Sequence, residues 1–381
     1  MWTWPQVWRS RLQRHWLLRP APLDRVLDVV GDVCGIHAQL TTSAELSLGL
    51  RVAGLTRQHV RTALWQDRSL VKTYALRGTL HLLPTRELGL WLSALRAKVP
   101  PHAPAPAERE AVPPERRQAL VMAIHAALEA GPLTRDELHV EMQRRLGDWA
   151  TAATFPAFGG HWPRWQLALR QAALDGLIVF GPNRGNRVSY VRTDEWLGAL
   201  DVVDGQAALR EVCLRFLQAY GPATHLEFAR WFATSRLAAR ELMQSLDLVE
   251  IEVEGWRGWL PRGAQDAPGM ASEGGSVLLL PQYDCYVVGG FPRDQLIPAQ
   301  APEPLRRGTA APFAVVLIDG VIGGLWERRV RGTRLDVRVD AFSSLSKQQQ
   351  REIELQAARI GETLELHTEV SFGSVEARGH L

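Results

Sequence analysis

The sequence predicts an α+β fold of tandem winged-helix domains, each a helix-turn-helix followed by a β-hairpin wing, ending in a β-rich C-terminal region. Two observations lead there. Groups of helices with apolar residues at helical spacing are followed by pairs of short strand-like runs across a turn, and from Ser276 onward the pattern becomes mostly β. A third, weaker sign is internal repetition: Gly131-Pro132-Leu133-Thr134 is restated as Gly221-Pro222-Ala223-Thr224.

The first unit is expected over residues 1–98. Val7, Trp8, Leu12, Trp16 and Leu17 mark a helix from 5 to 18, and Val26, Leu27, Val29, Val30, Val33 and Cys34 mark a second that ends at Gly35. A further helical stretch runs from Ser43 to Leu50. Thr56 is an N-cap for Arg57 to Trp65. Strand-like alternation from Ser69 to Pro84, split at Arg77-Gly78, supplies the wing. Six prolines between Val99 and Arg116 are too many for a regular element and define a linker over 99–116.

The second unit, 117–200, opens with a helix over 117–129, and Thr134 with Glu137 forms a capping-box pattern for the next. A helix from Trp165 to Gly176 leads into Leu177 to Phe180, the turn Asn183-Arg184-Gly185-Asn186, and Arg187 to Val191. The third unit, 201–262, repeats the plan: a helix from Leu209 to Tyr220, two more over 227–232 and 235–246, then strands from Leu248 to Leu260. The Gly/Ser/Pro-rich stretch from Pro261 to Gly275 ends it. In the last unit, 276–381, Asp319-Gly320 between apolar runs marks a hairpin, where Asp319 serves the turn. A helix from Ser346 to Ile360 is expected to stop at Gly361, before a strand near Leu364 to Val370.

Composition narrows the function classes. At 381 residues the chain exceeds the size at which one core keeps growing. It has no signal-peptide pattern and no run long enough for a membrane span, so the cytoplasm, near the nucleoid, is the expected location. Cys34, Cys213 and Cys285 lie far apart and suggest neither disulfides nor zinc, and no metal or other cofactor is expected. Net charge is +3, and 41 of the 44 basic residues are arginine. Arginine suits phosphate because its fork donates two hydrogen bonds to one oxyanion, although a GC-rich genome that favours arginine codons is the better explanation of the imbalance.

Gly35-Ile36-His37-Ala38-Gln39 is the most informative phrase. Residues two apart share a face only in an extended segment, so with the helix ending at Gly35 and Ile36 to Leu40 extended, His37 and Gln39 point into one space. Ile36, Ala38 and Leu40 are then expected to face the core.

Five phrases, in order, resemble a known family: His37-Ala38-Gln39 with Leu50-Arg51 downstream; Leu76-Arg77-Gly78-Thr79-Leu80-His81; Tyr220-Gly221-Pro222-Ala223-Thr224 with Phe228-Ala229-Arg230-Trp231; Leu279-Leu280-Pro281-Gln282-Tyr283-Asp284; and Ile318-Asp319-Gly320 with Gly323 and Trp326. Together they resemble the winged-helix DNA glycosylases typified by AlkZ and YcaQ. The resemblance implies excision of alkylated purines, in some members from interstrand crosslinks, at a site of two polar residues flanking a small or apolar one, usually Gln-X-Gln or Gln-X-Asp. Here His37 stands in the first place and Gln39 in the second.

The expectation is a monomeric, monofunctional glycosylase of base excision repair that wraps double-stranded DNA carrying alkylated bases. In it His37 accepts a proton from water near physiological pH, and Gln39 orients that water. With only Lys72, Lys98 and Lys347 in the chain, a Schiff-base lyase step is not favoured. Arg77 and His81 on the first wing and Arg184 and Arg187 on the second are the expected DNA contacts. Trp162 and Trp165 are expected to stack on a lesion or unpaired base. Asp284 is expected to fix a turn by hydrogen bonding. The competing class is a winged-helix DNA-binding protein without catalysis, a regulator or damage-binding scaffold.

Overall fold

A computed structural model describes residues 1–103, 110–157, 160–264, 275–307 and 312–376. The middle of the linker expected over 99–116 and most of the stretch from Pro261 to Gly275 lie outside the described residues.

Helix α1 (Trp4–Arg14) starts where Thr3 and Gln6 cap one another. Helix α2 (Val26–Asp32) ends in two residues of positive φ, Cys34 at 63° and Gly35 at 90°. A Cβ on Gly35 would fall 2.8 Å from Leu83 Cδ2, so both the backbone and the close approach require glycine. This turn delivers the chain into strand β1 (Ile36–His37). β1 lies antiparallel on β3 (Leu80–Pro84), which pairs with β2 (Leu70–Tyr74) in the order β1-β3-β2. The extended run expected over Ile36 to Leu40 is shorter than that. Ala38 still donates to the Leu80 carbonyl at 2.7 Å, but the chain then bends, because α3 (Thr41–Gly49) must begin for Ala44 and Leu48 to reach the core. Leu40, its N-cap residue, is half-buried, and Gln39 is exposed. Thr56 caps α4 (Arg57–Trp65) together with His59.

The second and third units repeat this plan. Helices Pro114–Ala127, Arg135–Leu146 and Gln166–Leu174 precede the hairpin of β7 (Ile178–Arg184) and β8 (Arg187–Arg192), with β4 (Leu133–Thr134) added beside β8. A second hairpin, β5 (Ala153–Ala157) with β6 (Gly160–Pro163), has no counterpart among the expected elements. Helices Gly205–Tyr220, His225–Phe232 and Arg236–Gln244 precede β9 (Leu248–Val253) and β10 (Trp256–Pro261). The repeated Gly-Pro-X-Thr phrase has a mechanical cause: Thr134 caps a helix reciprocally with Glu137, and Thr224 does so with Glu227.

The C-terminal region is a five-stranded sheet in chain order: β11 (Val277–Leu280), β12 (Val315–Ile318), β13 (Val321–Arg331), β14 (Arg334–Ala341) and β15 (His367–Phe372). Asp319 and Gly320, both at positive φ, turn β12 into β13. β15 is parallel to β14, so a crossover is needed, and the helix Lys347–Leu364 provides it. That helix passes through Gly361 rather than stopping there. It ends at left-handed Glu365, and Gly361 is the point of contact with β15, where a Cβ would collide with Thr368 Oγ1.

Apolar cores cross between units. One face of the β1-β3-β2 sheet packs on Val29, Val30, Leu48 and Leu64; the other, through Val71 and Leu83, meets Phe216, Leu217, Phe228 and Trp231 of the third unit. Trp4, Val7, Trp8 and Leu12 of α1 pack with Val253, Leu260 and the C-terminal sheet. The face of β1 that carries His37 is therefore covered by elements from distant parts of the chain.

Candidate active site

His37 is opposite His81 in the β1–β3 register, so the two imidazoles share a face, with ring centroids 5.3 Å apart and edge to face. The other side of His37 lies on Tyr283, at 4.8 Å and 13° between planes. Tyr283 has φ 61°, an unfavourable region for an aromatic residue that persists only where the surroundings enforce it. The enforcement is next door. Asp284 caps the one-and-a-half-turn helix Cys285–Gly289 by accepting from the Tyr286 N–H at 2.9 Å, as the turn-fixing expectation requires. The same carboxylate receives both ends of the Arg51 guanidinium at 2.8 and 2.7 Å, and the Ser47 hydroxyl at 2.7 Å. Arg51 and Asp284 side chains are wholly buried. Burial alone would raise the Asp284 carboxyl, but the charge and hydrogen bonds of Arg51 outweigh it and hold it below its ordinary value.

Since Ser47 lies on α3 and Arg51 just after it, this pair ties the Tyr283 loop to the element that follows Gln39. Arg51 and Tyr283 are the residues that sequence reasoning passed over as site components. Both stand inside quoted phrases, but nothing local marks a bidentate partner 233 positions away.

Burial, then the charge of Arg77, brings the His37 imidazole down from 6.5 to about 4. At physiological pH the ring is therefore neutral, the form that the expected proton acceptor requires. Its Nδ1 is buried without a hydrogen-bond partner among the described residues. Gln39, two residues on, is exposed at the end of the bend.

The expected DNA contacts separate. His81 is 2% exposed on the central strand, and its Nδ1 lies 3.1 Å from the Thr79 carbonyl, so it is no surface wing residue. Burial pushes its pKa well below 6.5. Arg77 is half-buried at φ 55° and donates to the Trp231 carbonyl at 2.7 Å, which holds it beside His37 rather than on a projecting tip. Arg184 is on the second wing but is spanned by Glu137 at 2.9 Å and the Pro132 carbonyl at 2.7 Å; Arg187 faces Asp136 at 3.3 Å. Trp165 is fully buried, its Nε1 donating to His139 at 3.2 Å, because it begins a helix in the core of the second unit. It is not available for stacking. Trp162, on β6, is 39% exposed.

A cleft of about 1220 Å³, lined by Arg14, Asp28, Glu87, Glu211 and Arg215 among others, is separate from His37 and is laced by ion pairs such as Arg215–Glu87 at 2.6 Å. Among the described residues no cluster of three or more His, Cys, Asp or Glu is arranged to hold a metal ion, and no helix is long and apolar enough to cross a membrane.

Helical units with hairpin wings, joined around a short strand that carries His37 with Gln39 two residues on, have the architecture of a winged-helix DNA glycosylase. The family model described as DNA glycosylase AlkZ-like matches residues 30–363, and the chain belongs to that family. It is 32% identical over 345 residues to an interstrand DNA cross-link repair glycosylase of Streptomyces sahachiroi, covering 85% of this chain and 88% of the relative. It also resembles the solved structure of the Streptomyces sahachiroi DNA glycosylase AlkZ, with a TM-score of 0.81 at 29% identity, over 98% of this chain and 100% of that one.

Proposed function

We propose that this glycosylase hydrolyses the N-glycosidic bond of N7-alkylated purines in double-stranded DNA, bulky adducts and interstrand crosslinks included, as a monofunctional, monomeric enzyme of base excision repair. The crosslink part draws on the Streptomyces sahachiroi relative. The observation that carries the chemistry is a neutral His37, stacked on Tyr283, with exposed Gln39 two residues on.

An N7-alkylated purine is already cationic. When the bond from C1′ to N9 breaks, its electron pair neutralises the base, which leaves without needing an acid. The sugar is left as an oxocarbenium ion. Water adds to C1′, and once bonded its oxygen is strongly acidic, so a base with a pKa of about 4 suffices to take the proton. A neutral imidazole also avoids placing a second positive charge beside the cationic sugar. Gln39 aligns the same water through its carbonyl while its NH2 group donates to sugar or phosphate oxygen.

The test is release of base from a duplex carrying a single N7-methylguanine, resolved as strand cleavage after mild alkali. Release by the wild type and none by His37→Ala supports the reading. No release by the wild type, with tight DNA binding retained, favours a DNA-binding protein without catalysis.

A further inference from the structure

We propose that Arg77, Lys98, Arg170, Arg230 and Arg293 form a seat for a backbone phosphate of DNA at the rim of the His37 site. The inference rests on the glycosylase reading in taking the anion to be a phosphodiester. These residues come from the first unit, the second, the third and the C-terminal region. Arg230 and Arg293 share one aromatic platform, their guanidinium carbons 4.9 and 4.4 Å from the centre of Phe291. Arg77 and Lys98 meet the end of the helix His225–Phe232, donating to the carbonyls of Trp231 at 2.7 Å and Phe232 at 3.0 Å. Arg170 reaches across from the second unit to Gly78, where a Cβ would fall 2.7 Å from its Nη1.

The charges act on one another. Burial, then Arg170 and Arg77, brings Lys98 down to about 8; burial, then Arg230 and Arg77, brings Arg293 down to about 10. Among the described residues none of the five has a carboxylate within ion-pair distance, whereas Arg215, Arg262 and Arg334 elsewhere each have one. Gathering like charges without counterions is unfavourable, and a phosphodiester relieves it while accepting paired guanidinium hydrogen bonds. Capping of carbonyls accounts for Arg77, Lys98 and Arg293, which also bonds the Val287 and Val288 carbonyls. It does not account for Arg170 and Arg230, both of which are exposed and make no hydrogen bond to protein among the described residues. The seat keeps Arg77 among the expected DNA contacts, while the second-wing arginines already face Glu137 and Asp136.

The test is the salt dependence of binding to a fluorescently labelled, undamaged duplex. Each phosphate contact contributes about 0.9 to the slope of log affinity against log salt. Arg170→Gln and Arg230→Gln, at exposed positions that leave the fold intact, are each expected to lower the slope, and the double variant to lower it by about 0.9, the contribution of the one phosphate held. Arg307→Gln, which removes a charge already paired with Glu303, is the control and is expected to leave the slope unchanged. A double variant with the wild-type slope overturns the seat. Because the duplex carries no lesion, failure of base release would count against the proposed chemistry alone, and an unchanged slope against the seat alone.

Discussion

The ring of His37 lies flat on that of Tyr283, 4.8 Å between centroids and 13° between planes, although the residues are far apart in sequence. The stack seals one face of the imidazole from water, and desolvation is the largest cause of its low pKa. Tyr283→Ala is therefore expected to return the His37 pKa from about 4 toward 6.5, and Tyr283→Phe to leave it low, as followed by NMR of the imidazole protons. An alanine variant that still titrates at about 4 would show that the stack does not set the protonation state.

The pH profile of base release follows. A neutral His37 is the competent form, so activity is expected to hold through pH 6.5 and fall only as the pH approaches about 4. Glutamine has no proton to gain in this range. His37→Gln should keep some release and lose that acid limb, whereas a limb centred near 6.5 in the wild type would contradict the role given to burial.

His37→Ala and Gln39→Ala are each expected to slow base release by about 100-fold or more, the usual scale for a positioned proton acceptor or its partner. Affinity for undamaged duplex should change by less than about threefold, since neither side chain belongs to the cationic rim. Binding that weakens in step with release would assign both residues to DNA contact instead.

The Arg51–Asp284 pair is fully buried and bidentate. Arg51→Met or Asp284→Asn should each destabilise the protein by about 3–5 kcal/mol, because the remaining partner is left without its counterpart in a dry site. Replacing both by Met and Leu should cost much less than the sum. Denaturant unfolding of the two single variants and the double variant measures this directly, and additive losses would mean the two side chains act independently.

Acid should weaken the fold before it removes the paired carboxylates. His15, His37 and His81 all have folded pKa values below 6.5, burial being the first cause in each. The unfolded chain then binds more protons than the native one once the pH drops below 6.5, so their stabilising contribution is complete above that value and is lost as the pH falls, for His37 toward about 4. The urea midpoint is expected to fall steadily over that window. A midpoint that stays level from pH 7 to 5 would be incompatible with three buried neutral imidazoles.

Much of the fold was legible because its signals are short. Thr134 with Glu137 and Thr224 with Glu227 start helices through contacts three residues apart, and Asp319-Gly320 turns a hairpin on its own dihedrals. The misreadings occur where a distant contact outweighs such a signal. Gly361 looks like a helix stop, but serves the approach of Thr368. Trp165 looks like an available aromatic ring, but three helices of the second unit close over it. His81 sits in a wing-like phrase, yet β1 adds beside β3 and makes its strand central.

What the sequence determined by itself, then, was the kind and order of the elements and the family, since capping, turn chemistry and apolar period act within a few residues. Only the tertiary structure decided that His37 is neutral, that Tyr283 covers it, that Arg51 and Asp284 clamp the loop across 233 positions, and that Arg170 and Arg230 join one rim. The physical reason is that desolvation and Coulomb interaction depend on every atom nearby in space, and here those atoms come from four separate stretches of chain.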